Sequence, residues 1–179
     1  MVLQAVRRIA LPLTALAVLA GACAGDSPSS DSGRPQTPQE AAQRFLSLWK
    51  DADYEAMYDL VSLDAQATVE RQAFVDRYQA ITEEATITSI DYELGPTPSG
   101  RPSKLPFTVT FHTGFFGDIQ QDNVIPIAKE AVPEAASPGA TPKTHDEWRV
   151  QWTPSLFFKE LDDRSLVHFF TKVPRRGGI

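Results

Sequence analysis

The sequence holds a single cysteine, Cys23, so no internal disulfide can brace the chain and cysteine usage says nothing about redox compartment. It has no Gly-rich phosphate loop and no Cys/His cluster at zinc spacing, and no cofactor or metal is expected. Basic charge is also scarce. The formal net charge is −6, and Arg7 and Arg8 are the only charges before Cys23, so a chain cleaved there would carry −8. That balance argues against nucleic acid as a partner, because phosphate binding needs a basic face. The apolar run Ile9–Ala22 spans 14 residues, whereas a membrane-crossing helix needs about 20. The remainder, 42% hydrophobic and 22% charged over 179 residues with Pro 14, has the composition of one globular domain with some loop-rich content.

What is present at the start is an export signal: Arg7 and Arg8, the apolar run, then small residues directly before Cys23. The stretch Leu19–Cys23, "LAGAC", resembles the bacterial lipobox, with Ala20 where leucine is commoner. The resemblance implies a signal peptide over residues 1–23, a lipidated Cys23 and an anchor in the outer face of the cytoplasmic membrane; an uncleaved signal anchor is the other reading. A diacylated cysteine is a stable tether where one acyl chain is not. Residues 24–37 contain no large apolar side chain and read as a flexible stalk.

Folded structure is expected from residue 38. Thr37 as N-cap, Pro38 in the first helical position and Glu40 three residues after the cap predict a helix start. Ala42, Phe45, Leu46 and Trp49 then share one face. Asp53 predicts the cap of a second short helix with Tyr54, Met57, Tyr58 and Val61 inward. A third helix is predicted over 68–85, with Phe74, Tyr78 and Ile81 inward and Glu70, Arg71, Asp76 and Arg77 outward. Beyond Ala85 the period becomes alternating. Ile90, Tyr92 and Leu94 share a side, as do Phe107, Val109 and Phe111, and the "GFFGD" turn predicts a hairpin into the next strand. Residues 129–145, rich in Pro and Ala, read as an exposed loop. "EWRVQW" then places Trp148, Val150 and Trp152 on one face and Arg149 and Gln151 on the other. Three helices against a curved, mostly antiparallel sheet of about four strands make an α+β domain. The two tryptophans are expected on the inner face of the last strand, against helices that present Phe45, Trp49 and Tyr58.

Chemistry is hard to find. His112 is expected on the polar face of a strand, His145 in a loop and His168 near the end, each as a solvated or hydrogen-bonded side chain. The pairs Asp51/Asp53, Glu83/Glu84 and Asp162/Asp163 read as caps or solvated charge. No base is nominated for any serine. Lys143–His145, "KTH", is superficially similar to the Lys-Thr-Gly of penicillin-interacting enzymes, but histidine replaces the glycine. The chain is therefore read as lacking the transpeptidase set of Ser-x-x-Lys, Ser-x-Asn and Lys-Thr-Gly, and as non-enzymatic.

Three strings carry a resemblance: Phe45–Ser62, Arg71–Ile81 and above all "EWRVQWTPSLFFKEL" over Glu147–Leu161. They resemble the N-terminal domain of class B penicillin-binding proteins of the methicillin-resistance type. The resemblance implies a nuclear transport factor 2-like cone over 38–155, with Trp148, Val150, Trp152, Pro154, Ser155, Leu156 and Phe158 as its signature. It also implies a connector over 156–179, where Arg176, Gly177 and Ile179 fit the family's Arg-Gly-x-Ile, towards dimerisation and transpeptidase domains that this chain does not contain. On that basis the chain reads as a fragment or incomplete gene product. The implied role is a membrane-tethered, non-catalytic spacer and docking domain in peptidoglycan synthesis and the beta-lactam response, with the transpeptidase domain in cis and other cell-wall synthesis proteins as partners. Phe157, Phe158, Phe169 and Phe170 are expected as exposed apolar surface. Two alternatives stand beside this: a stand-alone ligand-binding lipoprotein with a deep pocket behind Trp148 and Trp152, and a small enzyme using Asp91 or His112 in the cone.

Overall fold

The computed structural model describes residues 33–100, 103–134, 143–162, 164–165 and 167–168. Cys23, Phe169, Phe170, Arg176, Gly177 and Ile179 therefore lie outside the described residues. Among the described residues four helices come first: α1 (Pro38–Lys50), α2 (Tyr54–Asp59), α3 (Leu63–Thr68) and α4 (Arg71–Glu84). Four strands follow: β1 (Ile87–Leu94), β2 (Lys104–Thr113), β3 (Gly117–Pro133) and β4 (Thr144–Val150), and then one 3-10 turn, Pro154–Leu156. The sheet order is β1-β2-β3-β4, antiparallel at every pair.

Local chemistry sets the helix ends. Thr37 Oγ1 accepts the Glu40 amide at 3.1 Å, and the Glu40 carboxylate accepts the Gln36 amide at 2.8 Å, so the capping box closes one residue earlier than the pattern anticipates. Asp53 Oδ1 caps α2 through the Ala56 amide at 3.1 Å. At the end of α1 the Asp53 amide reaches Leu48 O at 2.9 Å and the Ala52 amide reaches Trp49 O at 3.0 Å, with Ala52 at φ 56. That is a Schellman closure with alanine in the position that usually holds glycine.

Two departures from the sequence reading concern the helices. The helix predicted over 68–85 is α4, Arg71–Glu84, and a further short helix that the sequence reading does not contain, α3 at Leu63–Thr68, precedes it. No residue of α3 is buried, so it has no apolar stripe by which a sequence could announce it. At the N-terminal side, residues 33–37, read as the end of a stalk, are held on the domain: Pro35 is buried, Gln36 O accepts the Trp148 indole N–H at 3.0 Å, and Gly33 O accepts from Arg44.

The sheet bends because β3 changes partner. Residues Gly117–Pro126 pair with β2, and Ile127–Pro133 pair with β4. Residues 129–133 and 144–145 are thus strand, not the exposed loop expected for 129–145; their paired edge is polar, so alternation does not reveal it. Helices cover the concave face, burying Ala42, Phe45, Leu46, Trp49, Met57, Tyr58, Phe74 and Tyr78 against Ile90, Leu105, Val109, Phe111, Ile125 and Ile127.

Candidate functional site

The aromatic signature is built into this core, but not as one strand face. Val150 ends β4 and is fully buried, whereas Trp152 lies past the strand. Its ring partners are Phe74 and Tyr78 of α4, at 5.1 and 6.5 Å between centroids, instead of the expected Phe45, Trp49 and Tyr58. The Trp152 indole N–H donates to the Tyr78 hydroxyl at 3.0 Å. Burial raises the Tyr78 phenol pKa well above its ordinary value. Trp148 is half-buried and packs against the rim of the core while holding Gln36.

The Thr-Pro-Ser break folds the chain back onto β3. Asn123 Nδ2 donates to Ser155 O at 2.7 Å, Gln121 Nε2 donates to Phe157 O at 3.2 Å, and the Lys159 amide returns to Gln121 Oε1 at 3.3 Å. Pro154 and Leu156 are buried under this latch, and Phe158 packs its ring 5.1 Å from Phe111. Phe157 corrects the expectation of exposed surface: it is 2% exposed, stacks on Phe111 at 5.4 Å and meets Trp49 at 5.1 Å. Its burial follows from the latch, which turns the chain inward just after the 3-10 turn.

Arg149 also corrects the sequence reading. It sits on the sheet face opposite Val150, yet it is only 8% exposed. Its guanidinium donates to Val61 O at 2.9 Å and to Glu147 Oε2 at 3.2 Å. The covering element is the α2–α3 junction, joined to β4 by Ser62 N to Val150 O and Val150 N to Leu60 O, both 2.8 Å. His145, expected in a loop, is in β4 with Nε2 3.5 Å from Glu147 Oε2 and Nδ1 4.0 Å from Glu134. Glu130 completes the group by accepting the Leu63 amide at 2.8 Å. Alternation alone cannot find this cluster, because the group that buries it lies 88 residues away.

Asp91 and His112 do meet. His112 Nδ1 is 2.7 Å from Asp118 and Nε2 is 3.0 Å from Asp91, and Lys50 Nζ holds the other Asp91 oxygen at 2.7 Å. These groups tie α1, β1, β2 and β3 together on the exposed side, away from the apolar core. Hydrogen bonds to Asp118 and then Asp91 raise the His112 pKa; Lys50 and then His112 lower that of Asp91. A raised imidazole pKa adds stability below the ordinary 6.5 that fades as pH climbs through the shifted value. The lowered Asp91 carboxyl adds stability above 3.8 that fades on acidification. Thermal midpoints measured at closely spaced pH values are therefore expected to fall from near 6.5 upward in the native sequence and to flatten there in His112→Gln. Parallel curves would contradict this assignment.

One part of the transpeptidase set is spelled after all. Ser47–Lys50 on α1 has Ser-x-x-Lys spacing, which corrects the reading that this motif is missing. A lysine that activates a serine must give up its proton. The hydrogen bond to Asp91 instead raises the Lys50 pKa and keeps it charged. Neither Ser-x-Asn nor Lys-Thr-Gly accompanies it.

Among the described residues no group of three His, Cys, Asp or Glu side chains is placed to hold a metal ion. Trp152 borders a shallow, open groove with Ser62, Thr68, Val69 and Gln151, whose single carboxylate, Asp64, is exposed. The deep pocket expected behind Trp148 and Trp152 for a ligand-binding lipoprotein is not seen there. No described helix is long and apolar enough to cross a membrane.

Comparison with known proteins gives two findings. The family model described as the NTF2-like N-terminal transpeptidase domain matches residues 37–165. The chain is also similar to penicillin-binding protein 3 of Bacillus subtilis (strain 168), at 26% identity over 153 residues, a stretch that covers 82% of this chain and 21% of that protein.

Proposed function

The chain belongs to the NTF2-like N-terminal transpeptidase domain family, and we propose that it is a non-catalytic spacer and docking domain of a penicillin-binding protein that acts in cell-wall synthesis. The match over residues 37–165 carries this reading. The packing supports it: every signature residue from Val150 to Phe158 that is buried is engaged in the core or in the latch to β3. Residues of that kind shape a rigid body and leave the reacting chemistry to another part of the protein.

In this proposal Cys23 carries a lipid that holds the domain at the outer face of the cytoplasmic membrane. A compact body on a short tether raises the local concentration of a fused transpeptidase domain and sets its distance from the membrane. Acylation by beta-lactams, and any part in the response to them, then belongs to that other domain.

The test is direct. Incubated with a fluorescent penicillin, the chain is expected to form no covalent adduct under conditions that label a transpeptidase domain. A labelled band that disappears in Ser47→Ala would overturn the reading, since Ser47–Lys50 is the only Ser-x-x-Lys in the sequence.

A further inference from the structure

Resting on the spacer reading, we propose that the Phe115–Phe116 hairpin tip docks the chain's own segment Phe169–Arg176 and so fixes the direction in which polypeptide leaves the domain.

The tip is a rigid platform. Thr113 Oγ1 donates to Gly117 O at 2.9 Å and accepts the Phe116 amide at 2.8 Å, and Gly117 takes φ +71 to close the turn. Nothing in that geometry calls for aromatic side chains; turns of this kind are ordinarily built from Gly, Asn and Asp. Yet Phe115 is 83% exposed and Phe116 48% exposed. Exposed aromatics clustered on a rigid turn mark an interaction surface.

Position selects the occupant. The Gly114 amide donates to Thr86 O at 2.8 Å, which sets the tip beside the C-terminal end of α4, and Glu83, Thr86 and Gly114 border one groove there. The chain after the core runs to the same end. Arg77 holds Asp162 O at 2.9 Å and Ser165 O at 3.3 Å, and His168 Nδ1 comes 3.9 Å from Glu84 Oε1. Phe169 and Phe170 follow at once, and eight extended residues reach roughly 26 Å.

Charge agrees with position. The last turn of α4 has Glu83 and Glu84 and no basic residue, at the end of a helix whose dipole favours cations. The segment supplies Lys172, Arg175 and Arg176 beside its two phenylalanines. An acidic, aromatic platform is thus matched in charge and character by a basic, aromatic segment that follows His168 in the sequence. A spacer whose exit is clamped in this way sets orientation as well as height.

Limited trypsin digestion of the full chain tests this, with cleavage after Lys172, Arg175 and Arg176 followed by mass. Phe115→Ser with Phe116→Ser is expected to speed those cleavages at least about fivefold, because docking must open before a protease can act. Glu83→Gln with Glu84→Gln is expected to speed them less, and high salt to narrow that difference. Thermal midpoints of both variants should stay close to the parent, since the altered side chains lie outside the core. Equal cleavage rates in parent and tip variant would overturn the proposal. So would protection that grows with protein concentration, which means a second copy, or protection that appears only with phosphatidylglycerol vesicles, which means a lipid surface. A penicillin adduct would sink the spacer reading without altering these rates, so the two failures are distinguishable.

Discussion

Trp152→Ala is expected to lower the unfolding free energy by about 3–5 kcal/mol, as large aromatic truncations in packed cores do. The indole is 6% exposed and lies against Phe74 and Tyr78, so its removal leaves a cavity between α4 and the end of β4. It also takes the indole donor from the fully buried Tyr78 hydroxyl. Trp152→Phe separates the two effects. It keeps most of the ring contact and loses the N–H, so its cost is expected near 1–2 kcal/mol. Denaturant titrations of the three proteins give the order directly. A near-neutral Trp152→Ala would mean that the indole serves something other than packing.

The second large effect is electrostatic. Arg149→Met is expected to cost about 2–4 kcal/mol, because it leaves Glu147 and Val61 O inside without their donor. The Arg149 and Glu147 side chains are 10% and 11% exposed, so water does little to replace the lost contact. Arg149→Met combined with Glu147→Met should recover much of the loss, since two apolar groups of similar size remove both charges together. Denaturant titrations of the single and double variants check both expectations.

Much of this fold was legible because its first determinants are local. The Thr37–Pro38–Glu40 cap, the Asp53 cap and the apolar stripes of α1, α2 and α4 appear at the positions their spacing assigns. The register of β2 follows the alternation of Phe107, Val109 and Phe111. What was not legible depends on partners far along the chain. Arg149 reads as a solvent-facing position until the α2–α3 junction covers it. Phe157 reads as exposed until Gln121 and Asn123 pull the 3-10 turn onto β3. The partner change of β3 at Pro126–Ile127 extends the sheet through a polar stretch that has no apolar alternation of its own. The structural role of the Val150–Phe158 string comes from these long-range contacts.

The central claim is that the indoles near the end of the domain are interior packing. Acrylamide quenching of Trp148→Phe, which retains only Trp49 and Trp152, tests it most directly. Both remaining rings are buried, so the emission is expected to be blue-shifted and quenched several-fold less than free indole, and to become fully quenchable only on unfolding. Quenching in the native protein as efficient as that of free indole would place Trp152 at an open surface and contradict the account.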